Sequence, residues 1–339
     1  MANPLPIFVG TDCSGMGMVF YALRALGVAF RHRFGSDVDW VARRHLHDHA
    51  APDVFFPDLL ARSLRDVPNV DLYICGFPCQ AFSAAGVQHG FNDDRGQIFF
   101  HVERYLRHCQ PRAFILENVL GLESASNGDC FRRVLRGLLS LECYNIWFDM
   151  LDTSEHGVPQ SRPRWYFVGI LRSEDRGTFQ MPKPVPLVSI EAFLAPRIER
   201  PSSTALPPAS QTTARQNVIA ALQELRDHGR DPYEECWVID CDSSVGRAGM
   251  MLGIAPCLTR SRAVSGHWLS NRGRRLSTSE MCCLQGLRSD TTFRVPDSAF
   301  RGLLGNSMSQ NILERLLCQV LPAAGLWDFA LLHDRYALP

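Results

Sequence analysis

Apolar and polar positions along the first 170 residues follow two alternating periods. Short apolar runs, typical of buried strands, occur at residues 7–10, 30–36, 71–75, 113–116, 144–150 and 164–170. Runs with an apolar residue every three or four positions, typical of amphipathic helices, occur at residues 19–26, 41–47, 98–108 and 131–140. Strands that alternate with helices in this way form parallel sheets with helices on both faces. The pattern predicts an α/β protein with a doubly wound, mostly parallel sheet.

The pattern changes after residue 171, where proline becomes frequent. The prolines between residues 181 and 208 are Pro182, Pro184, Pro186, Pro196, Pro201, Pro207 and Pro208. Such spacing indicates a linker or irregular structure. Regular patterning resumes with a helix at 216–228, a strand at 237–240 and helices at 278–285 and 310–320. We therefore predict a main domain formed by residues 1–171 and 273–339, with residues 172–272 as a small second lobe.

The composition narrows the class of protein. Of 339 residues, 46% are hydrophobic, which is enough for a sizeable core. The 35 Lys and Arg balance the 35 Asp and Glu, which excludes a globally basic binder and leaves local arginine clusters for any nucleic-acid contact. No apolar run approaches the ~20 residues of a membrane span, and the first residues do not resemble a signal peptide. We expect a soluble, intracellular protein, nuclear in a eukaryote and in the cytoplasm or nucleoid of a bacterium.

The chain contains twelve cysteines, and no two of them have the C-x2-C spacing of a zinc site. In a reducing compartment most cysteines are small core residues. We therefore expect no metal, and we expect most of these thiols to be buried and inert.

A glycine-rich turn, Ser14-Gly15-Met16-Gly17, follows the first predicted strand. Glycines let a ligand approach the backbone, and the N-terminus of the next helix is electropositive. Asp37, after the second strand, could accept hydrogen bonds from ribose hydroxyls. A strict G-x-G-x-x-G dinucleotide motif is absent because residue 20 is Phe, and no G-K-[ST] phosphate loop occurs. The turn alone fits either a nucleotide site or a purely structural loop.

Reactive side chains follow three later strands. Cys79 comes just after the strand at 71–75, where α/β sheets bind ligands, and is a candidate nucleophile if its thiol can ionise. Glu117 ends another apolar strand, where a carboxylate is rarely buried without a partner. Arg162 and Arg164 open a further strand, and their spacing puts both on one face. A thiol, a carboxylate and two guanidinium groups at one edge suit attack on an electron-poor pyrimidine.

In their order and spacing these motifs resemble those of the cytosine-5 DNA methyltransferase family. The resemblance covers most of the chain outside the 172–272 insert. The matching segments are Pro78-Cys79-Gln80, Asp94-Arg95-Gly96 with Phe99, Glu117-Asn118-Val119, Gly157-Val158-Pro159, the triplet Gln160, Arg162 and Arg164, the segment Arg275-Leu276-Ser277 with Glu280, Leu284-Gln285-Gly286, and Gly305-Asn306-Ser307.

The resemblance implies a covalent mechanism. Cys79 would add to C6 of cytosine, and Glu117 would hold N3 and the exocyclic amine. Arg162 and Arg164 would stabilise charge at O2 and position the nucleotide. S-adenosyl-L-methionine would donate the methyl group and leave as S-adenosyl-L-homocysteine, without a metal. The partner would be double-stranded DNA with the target cytosine flipped out of the helix, bound by a protein that is expected to be a monomer.

The resemblance also implies the residues that bind the cofactor. The residues expected around it are Cys13, Ser14, Gly15, Met16, Gly17, Asp37, Val38, Asp58, Leu59, Gly76, Pro78, Asn306 and Ser307. Asp37 would bind the ribose, Asp58 would face the adenine amine, and Asn306 with Ser307 would close the pocket. The chain departs from the family at four positions. Cys13 replaces an aromatic residue, Met18 replaces a glycine, and Asp37 replaces the more common glutamate. Pro163, which fixes the backbone and lacks an amide hydrogen, interrupts the arginine pair.

The residues expected to contact nucleic acid are two residues soon after Cys79, the glutamine of the Gln160–Arg164 motif and three arginines of the insert. They are Gln80, Ser83, Gln160, Arg260, Arg262 and Arg272. Residues 80–97 would form a loop that closes over the flipped base. The basic run near residues 260–274 fits either a reader of base edges in the second, target-recognition lobe or a solvated loop.

Three other functions fit parts of the sequence. A tRNA cytosine-5 methyltransferase of the same fold would share the active site, although the insert has no Cys-Phe-Thr tripeptide. A catalytically silent regulatory homologue would be expected to lack Cys79 or Glu117, and both are present. A nicotinamide-dependent oxidoreductase would leave Cys79 and Glu117 without a role.

Overall fold

A computed structural model describes three segments of the chain, residues 5–78, 94–197 and 205–337. The chain divides into two compact units. Unit 1 comprises Met1–Leu151, Pro163–Lys183 and Ile312–Pro339, and unit 2 comprises Asp152–Arg162 and Pro184–Asn311.

The described helices and strands agree with the predicted α/β pattern. The strands are β1 (Ile7–Asp12), β2 (Phe30–Ser36), β3 (Val54–Phe56), β4 (Leu72–Gly76), β5 (Ala113–Val119), β6 (Tyr144–Asp152), β7 (Pro163–Leu171), β8 (Trp237–Ile239), β9 (Met250–Leu252), β10 (Trp268–Leu269) and β11 (Arg274–Arg275). The helices are α1 (Met18–Ala25), α2 (Trp40–Ala50), α3 (Asp94–Cys109), α4 (Gly121–Ser124), α5 (Asp129–Leu139), α6 (Thr212–Asp227), α7 (Arg260–Ser265), α8 (Thr278–Leu284), α9 (Asp297–Gly305) and α10 (Gln310–Ala323).

Unit 1 is built on a seven-stranded sheet in the order β3-β2-β1-β4-β5-β7-β6. Strands β1 to β5 pair in parallel, and β7 pairs antiparallel with β5. The chain leaves β1 towards β2 and later returns to β4 on the other side of β1, which makes the β1–β4 junction a topological switch point. The predicted doubly wound, mostly parallel sheet is confirmed, and ligands of such sheets bind outside the carboxyl ends of the strands at this junction.

Aromatic side chains fill the core against the sheet of unit 1. Phe34, Tyr73 and Phe114 are fully buried, as expected for strands covered on both faces. Gly10 and Gly169 make room for two of these rings. A Cβ atom at Gly10 would lie 2.2 Å from the Phe34 ring, and one at Gly169 would lie 2.1 Å from the Phe114 ring. This close packing fixes the strands whose ends carry the candidate site.

Unit 2 contains a four-stranded sheet in the order β11-β10-β8-β9. Helix α6 packs its apolar face on this sheet through a cluster that includes Val218, Leu222, Ile239 and Trp268. Helices α7 and α9 also pack closely. A Cβ atom at Gly305, the last residue of α9, would lie 2.3 Å from the Thr259 carbonyl oxygen, so only glycine fits there.

The unit boundaries differ from the predicted domain boundaries. Unit 2 includes Asp152–Arg162 and continues to Asn311, whereas the predicted lobe spanned residues 172–272. Residues after 272 stay in unit 2 because β11 pairs with β10 and α9 packs on α7. The short strands β3, β9, β10 and β11 have only two or three residues each, too few for a period in the sequence to reveal them. In the three described segments, no helix is long and apolar enough to cross a membrane.

Candidate active site

The loop after β1 has an unusual backbone. Cys13, Gly15 and Gly17 all have positive φ angles, of 47°, 52° and 66°. A Cβ atom at Gly17 would lie 2.5 Å from Cδ1 of Leu46, so glycine is required both by the backbone angle and by the packing. The loop therefore stays close to the sheet edge and exposes main-chain groups at the start of α1.

The end of β2 holds this loop in place. Ser14 Oγ donates to the Ser36 carbonyl oxygen at 3.0 Å, and the Gly15 amide donates to Asp37 Oδ2 at 2.7 Å. The other Asp37 oxygen accepts from the Asp39 amide at 2.9 Å. Burial raises the pKa of Asp37 above its ordinary value, although both amides oppose the shift. Asp37 thus links the loop to β2.

The surroundings of Asp37 fit the adenosine part of a cofactor. Val38 and Trp40, which follow Asp37 closely in the sequence, are 72% and 66% exposed. Exposed apolar side chains next to a hydrogen-bond acceptor suit a flat base joined to a ribose. Asp58, whose Oδ1 accepts from the Leu60 amide at 2.9 Å, is partly exposed, and Leu59 is buried. Among the other predicted cofactor residues, Met16 is buried, and Gly76 and Pro78 are partly exposed at the end of β4.

The structure contains a buried ion pair, Asp12 with Arg62, that the sequence analysis did not predict. Asp12 ends β1, and its two carboxylate oxygens each accept from the Arg62 guanidinium at 2.5 Å. Ser36 Oγ and Tyr73 Oη also donate to it, at 2.6 and 2.7 Å. The pair is almost fully buried, with exposed fractions of 0% for Asp12 and 3% for Arg62. The signal in the sequence was a carboxylate directly after an apolar strand, but its partner is 50 residues away.

Replacing Arg62 with leucine is expected to destabilise the protein by about 3–5 kcal/mol, because the Asp12 carboxylate would stay buried without its counter-charge. Urea unfolding monitored by circular dichroism measures the change. The matched control is Arg65→Leu, which removes an exposed arginine three residues later and should change stability by less than about 0.5 kcal/mol. Equal stabilities of the Arg62→Leu and Arg65→Leu variants would contradict a structural role for the pair.

Three histidines pack behind the same loop. His32 Nε2 lies 3.2 Å from Thr11 Oγ1, and His45 Nε2 lies 3.1 Å from Tyr21 Oη. The His45 and His49 rings are 4.5 Å apart. Burial lowers the pKa of His32, His45 and His49 to about 4 each. All three rings are therefore neutral at pH 7.

Acid is expected to destabilise unit 1 through these histidines. Their folded-state pKa values lie below the unfolded value of about 6.5, so their contribution is complete above pH 6.5 and is lost as the pH falls towards 4. We expect the free energy of unfolding to fall by several kcal/mol between pH 7 and pH 5, because a shift of one pKa unit corresponds to about 1.36 kcal/mol. Urea unfolding at both pH values measures it.

The paired variants His45→Phe and His47→Phe test the source of that pH dependence. His45 is buried on α2, whereas His47 is exposed on the same helix. The pH dependence should weaken in His45→Phe and persist in His47→Phe. An unchanged pH dependence in both variants would show that other groups cause the loss of stability.

Glu117 and Arg164 meet at the end of β5. The antiparallel pairing of β5 and β7 places Val119 opposite Arg164, and Arg164 Nε lies 3.1 Å from Glu117 Oε1. Their side chains are 13% and 12% exposed. The two predicted catalytic groups are therefore adjacent and can still be reached from solvent.

The segment just after β4 is anchored to the same strand. Asn118, which is 1% exposed, donates from Nδ2 to the Phe77 carbonyl oxygen at 3.2 Å. This bond ties the end of β4 to the strand that carries Glu117. Cys79, Gln80 and Ser83 lie outside the described residues, and so does most of the predicted loop.

The thiol of Cys13 has the properties of an unreactive cysteine. A contact with Cys75 and burial raise the pKa of Cys13 well above its ordinary value, and Cys75 is fully buried. A thiol with a raised pKa is protonated at pH 7 and is a weak nucleophile. The other predicted role of Cys13, beside the cofactor, stays a prediction.

Arg162 has different neighbours from Arg164. Within unit 2 its guanidinium donates to the carbonyl oxygens of Leu258, Gly305 and Ser307 at 2.9, 3.2 and 2.5 Å. The residue is 3% exposed. These contacts make Arg162 an anchor for the segment that contains Asn306 and Ser307. The predicted catalytic role of Arg162 has no support from them.

Gln160 and two of the predicted DNA-binding arginines are also held inside unit 2. Gln160 is fully buried, donates to the Leu284 carbonyl oxygen at 2.6 Å and accepts from the Leu258 amide at 2.9 Å. Arg262 pairs with Asp240 at 2.7 Å. Arg272 pairs with Glu191 at 2.7 Å, and its side chain is only 4% exposed. These three side chains make their contacts inside unit 2, and their predicted contacts with bases stay predictions.

The remaining predicted residues of unit 2 lie at helix ends. Arg260 is exposed at the start of α7, and Asn306 is exposed directly after α9. Ser307 is buried, with Oγ donating to the Leu304 carbonyl oxygen at 2.7 Å. Across the described segments, no group of three or more His, Cys, Asp or Glu side chains is arranged to hold a metal ion.

Solved structures identify the class of fold. The chain is similar to the Entamoeba histolytica methyltransferase EhMeth, with a TM-score of 0.64, 16% identity and coverage of 94% of this chain and 98% of that one. It is also similar to the S. pombe Dnmt2 methyltransferase, with a TM-score of 0.60, 19% identity and coverage of 94% and 99%. The chain therefore has the same fold as these two methyltransferases.

Sequence comparison identifies the family. The profile of C-5 cytosine-specific DNA methylases matches residues 13–321. The Type II methyltransferase M.NgoBI of Neisseria gonorrhoeae is 31% identical over 91% of this chain and 92% of its own length. The Type II methyltransferase M.HaeII of Haemophilus aegyptius is 29% identical over 89% of each. The chain belongs to the C-5 cytosine-specific DNA methylase family, and it is a DNA (cytosine-5) methyltransferase, which confirms the predicted activity.

Proposed function

We propose that the protein methylates C5 of a cytosine that is flipped out of double-stranded DNA, with Cys79 as a covalent nucleophile. The observation that carries this proposal is the 3.1 Å pair of Glu117 on β5 and Arg164 on β7. Asn118, the next residue of β5, donates to the carbonyl oxygen of Phe77, which precedes Cys79 by two residues in the sequence. A carboxylate and a guanidinium together match the polar edge of cytosine.

Each of these groups would act on a different atom of the base. Cys79 as thiolate would bond to C6, which pushes electron density towards N3 and makes C5 nucleophilic. Glu117 would hold the proton at N3 and accept from the exocyclic amine. Arg164 would balance the charge that develops at O2. After C5 gains a methyl group, loss of its proton and cleavage of the C6–S bond would restore the aromatic ring and the thiolate.

S-adenosylmethionine, when bound, would supply the electrophilic methyl group. Asp37 would accept from the ribose hydroxyls, and the exposed side chains of Val38 and Trp40 would flank the adenine. The left-handed backbone at Gly15 and Gly17 would let the methionine part approach the main chain.

DNA is favoured over tRNA as the substrate because the 31%-identical relative, which matches over nearly the whole chain, is named a Type II methyltransferase. The test is incubation of the purified protein with labelled S-adenosylmethionine and either duplex DNA of random sequence or total tRNA. We expect label in DNA and not in tRNA. Label in tRNA alone would overturn the proposal.

A further inference from the structure

Two segments of unit 1 follow the ends of neighbouring strands, residues 37–38 after β2 and residues 57–58 after β3. The strands are parallel, and Ser36 at the end of β2 pairs with Phe56 at the end of β3. Asp37 in the first segment is expected to bind a ribose, and Asp58 in the second is expected to face an adenine amine. The separation of the two segments therefore decides whether one adenosine group can contact both.

Arg43, on helix α2, joins both segments through their main-chain carbonyl groups. Its Nε donates to the Asp37 carbonyl oxygen at 2.7 Å. Its Nη2 donates to the Val38 carbonyl oxygen and to the Pro57 carbonyl oxygen, at 3.2 Å each. One side chain thus connects the residues that follow β2 with those that follow β3, at three points of the backbone.

These three contacts suit an arginine better than a lysine. A guanidinium is planar and holds its N–H donors in fixed directions, so its nitrogens donate to several carbonyl groups at once. A lysine ammonium is a compact point charge on a flexible stem. The guanidinium carbon of Arg43 also lies 5.7 Å from the centre of the Phe55 ring, on β3. The side chain is therefore held on both sides of the gap that it spans.

The same contacts leave the Asp37 carboxylate able to accept more hydrogen bonds. Arg43 binds the main-chain oxygen of Asp37, whereas the two carboxylate oxygens accept from the Gly15 and Asp39 amides. An ionised carboxylate has about four lone-pair sites, so each oxygen can accept again from a ribose hydroxyl. The positive charge of Arg43 also opposes the rise in the pKa of Asp37 that burial causes, which favours the ionised acceptor.

We propose that Arg43 is a positioning residue for the cofactor, and that it holds Asp37 and Asp58 at the separation that one adenosine group requires. Segments that are already ordered before binding lower the entropic cost of binding. Arg43 would not touch the reacting atoms, so it should set the affinity for the cofactor and not the rate of methyl transfer at saturation. The inference rests on the S-adenosylmethionine site proposed above.

The test compares Arg43→Met with the control Arg44→Met, which changes the next residue of α2. The Arg44 side chain is 63% exposed and lies 3.4 Å from Asp48 of the same helix. Isothermal titration calorimetry measures the Kd of S-adenosylhomocysteine. We expect Arg43→Met to raise this Kd about 10-fold, because both segments must then be ordered on binding. Arg44→Met should leave it unchanged.

The steady-state kinetics of methyl transfer give a second readout. In Arg43→Met the KM for S-adenosylmethionine should rise while kcat is kept, the pattern for loss of a contact that acts equally before and during the reaction. Arg43→Lys keeps the charge and can still donate to a carbonyl group. Its Kd for S-adenosylhomocysteine should lie between those of Arg43→Met and the unmodified protein, and this variant carries the test if Arg43→Met does not fold.

Two results would overturn the assignment of Arg43. In one, both Arg43 variants bind S-adenosylhomocysteine as tightly as Arg44→Met does. In the other, Arg43→Met lowers kcat while KM and Kd stay unchanged. Absence of S-adenosylhomocysteine binding to the unmodified protein would instead overturn the proposed cofactor site itself, so the two failures are distinguishable.

Discussion

Replacing Cys79 with serine is expected to lower methyl transfer to DNA by roughly 10⁴-fold or more, the scale of loss when a covalent nucleophile is removed. A serine hydroxyl keeps the size of the side chain but is far less ionised at pH 7 than a thiol. Transfer of tritium from labelled S-adenosylmethionine to duplex DNA measures the loss. The melting temperature of the variant should match that of the unmodified enzyme.

The control is Cys109→Ser, which changes a partly buried cysteine at the end of α3. This variant should keep activity within a few-fold. Cys79→Ser turnover at the rate of the Cys109→Ser control would remove Cys79 as the nucleophile.

Replacing Glu117 with glutamine is expected to lower kcat by about 10²- to 10⁴-fold, the usual contribution of a positioned acid or base. The amide keeps the shape of the carboxyl group but cannot take up and hold the proton at N3. The change also removes the charge that faces Arg164, 3.1 Å away, so binding of the base should weaken as well. Single-turnover kinetics separates the two effects.

Glu123→Gln provides the comparison, since Glu123 is exposed on α4, six residues along the chain. It should have normal kinetics. A Glu117→Gln enzyme with the same kcat as Glu123→Gln would show that the carboxylate has no part in the chemistry.

Local patterns predicted unit 1 well because its strands and helices are long enough to show a period. Residues 30–36 were predicted as a strand, and β2 has those bounds. Glu117 was predicted to sit at a strand end; it lies two residues before the end of β5, and its Oε1 is 3.1 Å from Arg164 Nε. Strands of one sheet bring residues distant in sequence to one edge, so a motif at a strand end predicts a candidate site there, and the roles of its residues stay predictions.

The partners of individual arginines could not be predicted in the same way. Arg62 reaches Asp12 across 50 residues, and Arg162 reaches Ser307 across 145 residues. Sequence shows that an arginine is present but not which carbonyl or carboxylate faces it after folding. Arg262 and Arg272 carry the positive charge expected of DNA-binding residues, yet their guanidinium groups bind carboxylates of unit 2. Long-range polar contacts of this kind depend on tertiary packing and leave no local signal.

The central claim is that a sulfur atom of the protein bonds to the pyrimidine ring during catalysis. Duplex DNA that carries 5-fluorocytosine tests it directly, because fluorine at C5 cannot leave as the proton does, and the C6–S bond then persists. After incubation with S-adenosylmethionine, a denaturing gel should show a DNA-linked protein band, and peptide mass spectrometry should place the link at Cys79. A methylated duplex with no linked protein, or a link at another cysteine, would contradict the account.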